Sequence, residues 1–468
     1  MVLTRRPDQG RLPDTMGSLK KPNRMFHVKR LSPNVLLVNP WITDFAAYNF
    51  WIKPLGLLSI GSLLRRNGFR ISLVDCLDSL IKTNSYGDGK FLKTKIERPL
   101  PLKSVPRNYT QYGIPEEMLL KKLSLPEEPD LICVSSGMTY WYPGVFKVIE
   151  ITKKLFKNVP VILGGIYATL CYEHAKKHSG ADVVSDRRGE AEVLKLVSDL
   201  TNFEPRTPVG NGFKPFPTYP TFDLYSQLDY VCISTSTGCP FKCIYCASPF
   251  LTKEFSKKDP QDVVEEIKYW ITNFHTNNIA FYDDALLIDP SKHFIPMVKE
   301  VIKRRIHCNF HTPNAIHIRE IDEEVAGLLF RGGFKTIRLG FETSNVAMQL
   351  ETGGKVDNQA FKRTINHLRR AGYSGEEIGV YVLVGLPEQR VGEVEESVAF
   401  VKESGARPML VEYSPIPHTP LFEKAKKVSQ FDLENEPLFH NNSILPCQWE
   451  GFTMTDYRRL KEELKGGK

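Results

Sequence analysis

The sequence predicts two α/β units in one chain, a doubly wound parallel sheet followed by a partial (β/α) barrel. Short apolar runs, typical of buried strands, alternate with helix-length segments from residue 34 to about 200, and the alternation restarts at residue 230. Residues 201–229 hold five prolines, which neither a helix nor a central strand accommodates. This stretch is therefore predicted to be an interdomain linker.

The first unit, residues 33–200, contains five predicted strands. They are residues 34–39, 71–75, 131–136, 159–165 and 181–184, with helices at 54–67, at 143–156 and from 190. Ligands of doubly wound sheets bind where the strands end at their carboxyl edge. The candidate cofactor-binding residues at these ends and just beyond them are Ser135, Ser136, Gly137, Thr139, Gly164, Gly165, Tyr167, Gly189 and Glu190.

A long insertion, about residues 82–129, separates the second and third predicted strands. It contains several tyrosines and a phenylalanine among prolines and charges. Long insertions in compact domains are often functional. Two interpretations stay open, a cap on the substrate side and structural padding.

The second unit, residues 230–425, repeats the alternation six times. Its predicted strands are residues 230–234, 279–282, 308–311, 336–340, 379–385 and 409–413. Six strands with crossover helices suit a partial (β/α)6 barrel, whose catalytic groups lie where the strands end. His311 and Asn314 follow the third strand and are candidates for cofactor or substrate contact. Residues 426–468 are predicted to be a short tail with one helix.

The net charge of +8 is concentrated at the amino terminus. Residues 1–30 hold eight basic and two acidic residues, so the remainder of the chain is close to neutral. Residues 1–32 are predicted to be a disordered basic arm. A near-neutral body argues against nucleic acid as a partner. No segment has the apolar run of a signal peptide or a membrane helix, so a cytoplasmic location is expected.

Three of the nine cysteines, Cys239, Cys243 and Cys246, follow the first barrel strand within TGCPFKCIYCASP (237–249). Soft thiolates at this spacing suit zinc or an iron–sulfur cluster. Structural zinc usually takes four protein ligands, whereas three cysteines leave one iron of a [4Fe-4S] cluster open to a substrate. A zinc knuckle is the alternative.

The C-x3-C-x2-C spacing, Tyr245 before the third cysteine and the position after a strand resemble the radical S-adenosylmethionine (SAM) superfamily. The resemblance implies a [4Fe-4S] cluster on the three cysteines and SAM as a second cofactor. Further motifs extend it along the barrel. Tyr245 in the cysteine loop is an implied cofactor contact. The implied contacts with SAM along the barrel are Asp283 in FYDDALL for the amino group, Glu342 in RLGFET for the ribose, and Gly385 and Pro387 in VGLPEQ beside the adenine.

Two positions depart from the family pattern. Glu388 follows Pro387 where glycine is common, and His418 in YSPIPHTPL replaces the glycine of the sixth-strand motif. Both departures bear on the local backbone shape.

The first unit resembles the flavodoxin-like, cobalamin-binding domain that precedes the barrel in a large radical SAM subgroup. The matching segments are KPLGLLSIGSLLRRNGF (53–69), SSGMT (135–139), LGGIYATL (163–170) and RRGEAEV (187–193). The D-x-H-x-x-G motif, which supplies a histidine to cobalt in other proteins, is absent. The resemblance implies cobalamin bound without an axial histidine. The alternative is a domain that binds nothing or another cofactor.

The resemblance implies an enzyme in which a 5'-deoxyadenosyl radical activates an unactivated carbon of a small-molecule substrate, and methylcobalamin methylates it. Reduced ferredoxin or flavodoxin is the expected electron donor. A radical cyclisation or rearrangement with the same cofactors is the first alternative, and a non-catalytic metal-binding module is the second.

Overall fold

The computed structural model describes residues 32–186, 189–205 and 219–466. Nearly all of the basic arm, Arg187 and Arg188, and the central part of the proline-rich linker lie outside the described residues. Within them the chain forms the two α/β units that the sequence predicts, so the predicted fold class is confirmed.

The first unit is built on a five-stranded parallel sheet of order β10-β9-β8-β1-β3. Buried aliphatic side chains on both faces pack against the helices, as expected for a doubly wound sheet. Its elements are β1 (Asn34–Asn39), β2 (Ile42–Asp44), α1 (Leu55–Arg66), β3 (Arg70–Asp75), β4 (Leu80–Thr83), β5 (Gly89–Phe91), β6 (Lys93–Ile96), β7 (Tyr109–Tyr112), α2 (Glu116–Leu123), β8 (Leu131–Val134), α3 (Tyr142–Leu155), β9 (Val161–Leu163), α4 (Ile166–Leu170), α5 (Tyr172–His178), β10 (Val183–Val184) and α6 (Glu190–Thr201).

The second unit is an open barrel whose six parallel strands follow chain order, β11-β14-β15-β16-β17-β18. Its elements are β11 (Val231–Ile233), β12 (Ser236–Thr237), α7 (Ser248–Leu251), β13 (Ser256–Lys257), α8 (Pro260–Phe274), β14 (Asn278–Phe281), α9 (Phe294–Lys303), β15 (Asn309–His311), α10 (Glu323–Arg331), β16 (Phe334–Glu342), α11 (Val346–Glu351), α12 (Asn358–Ala371), β17 (Ile378–Val384), α13 (Val391–Glu403), β18 (Arg407–Glu412), α14 (Pro420–Val428) and α15 (Met454–Gly466).

Local sequence signals account for the helix ends. The side chain of Asp259 accepts a hydrogen bond from the backbone N–H of Gln261 and caps α8, and Pro260 occupies its first turn. His275 ends the same helix in the left-handed conformation, with φ of 53°.

Trp51, in the loop before α1, joins the two units. Its ring stacks on His311 at 4.3 Å between centroids, and its carbonyl accepts hydrogen bonds from Cys232 and Tyr282 of the barrel. Tyr86, from the insertion, lies against the same histidine. The insertion therefore packs the interface between the units as well as covering the first one.

His311 is consequently a packing residue. It is fully buried, its Nδ1 lies 3.0 Å from Thr336 Oγ1, and burial lowers its pKa to about 3. His311, a sequence candidate for cofactor or substrate contact, is therefore covered by Trp51 of the first unit. Asn314 is exposed and donates to the carbonyl of Tyr282.

The tail after α14 is more extensively packed than expected. Leu438 and Ile444 are buried against Phe45, Leu102 and Tyr109 of the first unit. Before its one α-helix the tail thus packs against the insertion and the residue that follows β2. No helix in the described residues combines the length and apolar character needed to cross a membrane.

Candidate functional site

The three clustered cysteines lie in the loop between β12 and α7, just after the first barrel strand. The backbone turns tightly there: the N–H of Cys246 donates to the carbonyl of Cys243 at 3.0 Å, and the N–H of Ser248 donates to the Sγ of Cys246 at 3.4 Å. Cys239, Cys243 and Cys246 are all partly exposed. The loop therefore presents three accessible thiols at the carboxyl edge of the barrel.

The number of cysteines bears on the kind of metal centre. Three cysteines leave one iron of a [4Fe-4S] cluster open, whereas structural zinc usually takes four protein ligands. Within the described ranges no three histidine, cysteine or acidic side chains are placed to hold one metal ion. Partial burial raises the pKa of Cys246 to about 11 and also raises that of Cys239, so iron binding must displace protons.

Asp283 and Asp284 have different environments. Asp283 is buried and accepts hydrogen bonds from the backbone and hydroxyl of Thr235 and from the hydroxyl of Ser236, which anchors the start of the cluster loop. Burial raises its pKa. Asp284 is exposed, is bonded to Ser248, and raises the pKa of the nearby Cys246. The structure therefore offers Asp284 as the accessible carboxylate, and contact of Asp283 with SAM stays a prediction.

Glu342 ends β16 in the left-handed conformation, with φ of 70°, and is largely buried. Its Oε1 accepts a 2.6 Å bond from Lys355 Nζ and a 3.1 Å bond from the hydroxyl of Tyr245. Lys355 also donates to Tyr245 at 2.9 Å. The pKa of Lys355 is raised: burial opposes its charge, but Glu342 and the thiols of Cys243 and Cys246 outweigh that effect. Two predicted SAM contacts, Tyr245 and Glu342, are thus joined beside the cluster loop.

The sequence analysis missed the segment that supplies Lys355. Gly353, with φ of +124°, approaches so closely that an added Cβ would lie 3.3 Å from the Cα of Cys243. The ring of His317 lies 4.7 Å from that of Phe241, inside the cluster loop. The available signal was the pair of glycines before Lys355, which marks a close backbone approach.

The glycine–proline turn after β17 begins with a glycine in the left-handed conformation. Gly385 has φ of +80°, and its N–H donates to Oε1 of Gln389. Glu388 and His418, which replace family glycines, have φ of 63° and 66°. Both residues therefore have the left-handed backbone conformation that glycine adopts freely. For a residue with a side chain this conformation costs about 1–2 kcal/mol.

His418 connects the two units beside the cluster loop. Its ring stacks on Phe250 of α7 at 4.0 Å with planes 5° apart. Its Nε2 lies 3.0 Å from the carbonyl of Leu170, at the end of α4. The helix that follows the cysteines and the helix that follows Gly165 are thereby held together through one side chain.

The carboxyl edge of the amino-terminal sheet is built largely from small residues. A Cβ at Gly164 would meet nothing within 4 Å, so the space above it is open. A Cβ at Gly165, with φ of +97°, would lie 2.4 Å from the carbonyl oxygen of Ser136. Ser136 Oγ donates to the carbonyl of Gly164, which ties the two loops into one surface. Within this surface, the position above Gly164 is open to an atom of a ligand.

The remaining predicted contacts face elsewhere or are bonded within the protein. Thr139 is buried against His440 of the tail, and the hydroxyl of Tyr167 is 2.6 Å from Nδ1 of His174. Ser135 donates to Asn39, Gly189 precedes α6, and the exposed Glu190 lies 3.9 Å from Arg66. Gly137 packs against Trp141. Cofactor contacts by all of these residues stay predictions.

A cysteine loop on an open (β/α) barrel, with a charged cluster beside it, defines an iron–sulfur-dependent class of enzyme. Residues 233–401 match the Radical SAM superfamily, so this part of the chain is a radical SAM domain, which implies a [4Fe-4S] cluster and SAM.

Among curated proteins, the chain is 22% identical over 381 residues to an uncharacterized methyltransferase of Pyrococcus horikoshii, covering 74% of this chain and 77% of that protein. It is 23% identical over 377 residues to an anaerobic magnesium-protoporphyrin IX monomethyl ester cyclase of Rubrivivax gelatinosus, covering 71% of this chain and 66% of the cyclase. The chain thus spans about two thirds of the cyclase.

Two solved structures share the whole two-unit arrangement. One is the radical SAM methyltransferase TsrM from Kitasatospora setae, with tryptophan and a SAM analogue bound: TM-score 0.64, 15% identity, 88% of this chain and 83% of that chain. The other is the cobalamin-dependent radical enzyme OxsB with aqua-cobalamin bound: TM-score 0.58, 12% identity, 93% of this chain and 62% of that chain. At these identities the likeness shows the fold.

Proposed function

We propose that this radical SAM enzyme binds cobalamin on its amino-terminal sheet and methylates an unactivated carbon of a small molecule. The observation that carries the proposal is the open surface over Gly164, one short helix away from the contact with the cluster-bearing unit. The structural likeness to TsrM and OxsB and the sequence likeness to a methyltransferase support it.

The proposed place for the corrin ring is the surface around Gly164. A Cβ at Gly164 would meet nothing within 4 Å, and the Ser136 hydroxyl is bonded to the Gly164 carbonyl within this surface. In the TsrM structure with cobalamin and a [4Fe-4S] cluster bound, both cofactors occupy one chain of the same fold. Cobalamin, when bound, supplies a methyl group that can reach a carbon without a lone pair.

The chain's own residues would bind and orient the cofactors. Cys239, Cys243 and Cys246 would hold the cluster, and the Glu342–Lys355–Tyr245 group offers both a carboxylate and an ammonium to the polar groups of SAM. The tail reaches the loop after β8 through the contact of His440 with Thr139, and there it would exclude water from a reactive radical. A reduced ferredoxin or flavodoxin remains the proposed electron donor.

The test is anaerobic reconstitution of the full chain with iron, sulfide and hydroxocobalamin. We expect about one cobalt per chain, a visible spectrum without a histidine ligand on cobalt, and release of both 5'-deoxyadenosine and S-adenosylhomocysteine from SAM. Protein that retains no cobalamin would reduce the function to that of a plain radical SAM enzyme.

The second candidate is a radical cyclisation with the same cofactors, which the likeness to the magnesium-protoporphyrin cyclase favours. Methyl transfer consumes a second SAM and leaves S-adenosylhomocysteine, whereas cyclisation leaves only 5'-deoxyadenosine and methionine. Bound cobalamin together with 5'-deoxyadenosine and no S-adenosylhomocysteine, measured with substrate present, would favour the cyclase.

A further inference from the structure

The insertion forms most of the wall of a cavity of about 670 Å³ on the first unit. This volume lies within the range of small-molecule sites. Four of the lining side chains are cations and none is a carboxylate. The lining residues are Phe45, Lys93, Lys95, Arg98, Pro106, Arg107, Asn108, Thr110 and Tyr112. We call this site the basic cavity.

The two lysines project together because of strand geometry. Lys93 and Lys95 are two residues apart on β6 and therefore share one face of the sheet. On the neighbouring antiparallel strand β7, Tyr112 is paired with Lys93 and Thr110 with Lys95. The face thus combines two ammonium groups with the hydroxyl groups of a tyrosine and a threonine.

The two arginines are held in place by backbone carbonyl groups. Arg98 donates to the carbonyl of Val105, and Arg107 donates to that of Ser443 in the tail at 2.8 Å. The Arg107 guanidinium also lies 5.2 Å from the centre of the Phe45 ring. A guanidinium has five N–H donors, so these bonds leave donors for a ligand.

None of the four cations of the basic cavity forms an ion pair within the described part of the chain. Other cations of the same unit are paired: Arg70 lies 2.7 Å from Glu127, and Lys153 lies 2.7 Å from Asp182. Neighbouring cations repel one another, and an anion between them would relieve that repulsion.

The basic cavity lies beside the proposed corrin surface. Phe45 directly follows β2, and the carboxylate of Asp44 accepts a 2.9 Å bond from the indole N–H of Trp141. The ring of Trp141 in turn lies 3.0 Å from where a Cβ of Gly137 would be. Asp44 and Trp141 therefore connect Phe45 of the cavity to the loop that follows β8, on the ligand-binding edge of the sheet.

We infer that the basic cavity binds an anionic group, phosphate or carboxylate, of a molecule that occupies the reaction site. The inference rests on the proposed function for the identity of that site. Two sources share this chemistry: an anionic group of the substrate, and the phosphodiester in the nucleotide tail of cobalamin.

The test measures binding of inorganic phosphate and of succinate to the anaerobically purified full chain by calorimetry. We expect saturable binding of at least one anion that weakens with added salt. Lys93→Gln with Lys95→Gln should weaken it about fivefold or more, since an exposed charge contact contributes up to about 1 kcal/mol. Arg107 is left intact because it also holds the tail.

The matched control is Lys268→Gln with Lys402→Gln, which removes two exposed lysines from barrel helices and changes the net charge equally. It should leave anion binding unchanged. Absence of saturable binding in the wild type, or equal weakening in the control, would overturn the inference.

Cobalt content after reconstitution then distinguishes the two sources. Unchanged cobalt in the Lys93→Gln and Lys95→Gln variant identifies a substrate group, and lost cobalt identifies the phosphodiester of the cofactor. Wild-type protein that binds the anions but no cobalamin would refute the proposed function while leaving the basic cavity as an anion site.

Discussion

The carboxyl edges of the two sheets present opposite chemistry. The barrel edge carries thiols, two adjacent carboxylates and a buried lysine–glutamate pair. The amino-terminal edge offers small residues, with open space over Gly164 and a glycine at 165 pressed against backbone. We propose that the first edge recognises ligands through side chains that are present, and the second through the space left by side chains that are absent. Substitutions that remove a side-chain group should therefore damage the barrel edge, whereas substitutions that add one should damage the amino-terminal edge.

The largest expected effect is at the cluster loop. Cys243→Ala removes one of three ligands and should abolish both cluster iron and SAM cleavage, measured by iron content and 5'-deoxyadenosine release. Cys308→Ala, at another partly exposed cysteine outside the loop, should keep both. Full iron content in Cys243→Ala would refute the ligand assignment.

Gly164→Phe should affect cobalamin and spare the cluster, because it adds bulk at a position where a Cβ meets no atom within 4 Å. Cobalt retention should fall to background while cluster iron is kept. Gly165→Ala serves as the comparison: φ of +97° and the clash with Ser136 should lower the free energy of unfolding by about 1–2 kcal/mol or more. Retention of cobalamin by Gly164→Phe would place the corrin elsewhere.

Glu342→Gln should weaken SAM binding about tenfold or more, since a hydrogen bond to a charged group contributes about 1.5–3 kcal/mol. The same change removes the charge that faces Lys355 at 2.6 Å. Tyr245→Phe, which removes only a hydroxyl from this group, should have a smaller effect. The measurement is the SAM dissociation constant at full cluster content, and an unchanged value would make Glu342 structural.

The smallest effect is expected at the junction of the two edges. His418→Gly relieves a left-handed backbone but loses the stack on Phe250 and the bond to the Leu170 carbonyl. Cluster and cobalt contents should be kept, while amide exchange rises in α4 and α7. His275→Gly, the same substitution at an exposed left-handed position, should leave exchange in those helices unchanged. Equal exchange in both variants would show that His418 does not hold the units together.

The positions of the strands along the chain could be predicted because short apolar runs indicate burial directly. All six barrel strands and all five strands of the first sheet occur close to the predicted residues. The barrel site was predictable for a related reason. Cys239, Cys243 and Cys246 lie in one loop, and their spacing is visible in the linear sequence.

Contacts between distant segments could not be predicted. Lys355 reaches Tyr245 across 110 positions, and His311 is covered by Trp51 from the other unit. Side-chain patterns report which face is buried but not which distant residue buries it.

By itself, the sequence determined the two α/β units, the cysteine loop and the small residues at the strand ends, since each depends on neighbours in the chain. The tertiary structure alone decided that Asp284 rather than Asp283 is accessible, that Gly164 is open while Gly165 is not, and that the insertion builds the basic cavity. The physical reason is that exposure and close approach are set by packing between segments far apart in the chain, which no local pattern encodes.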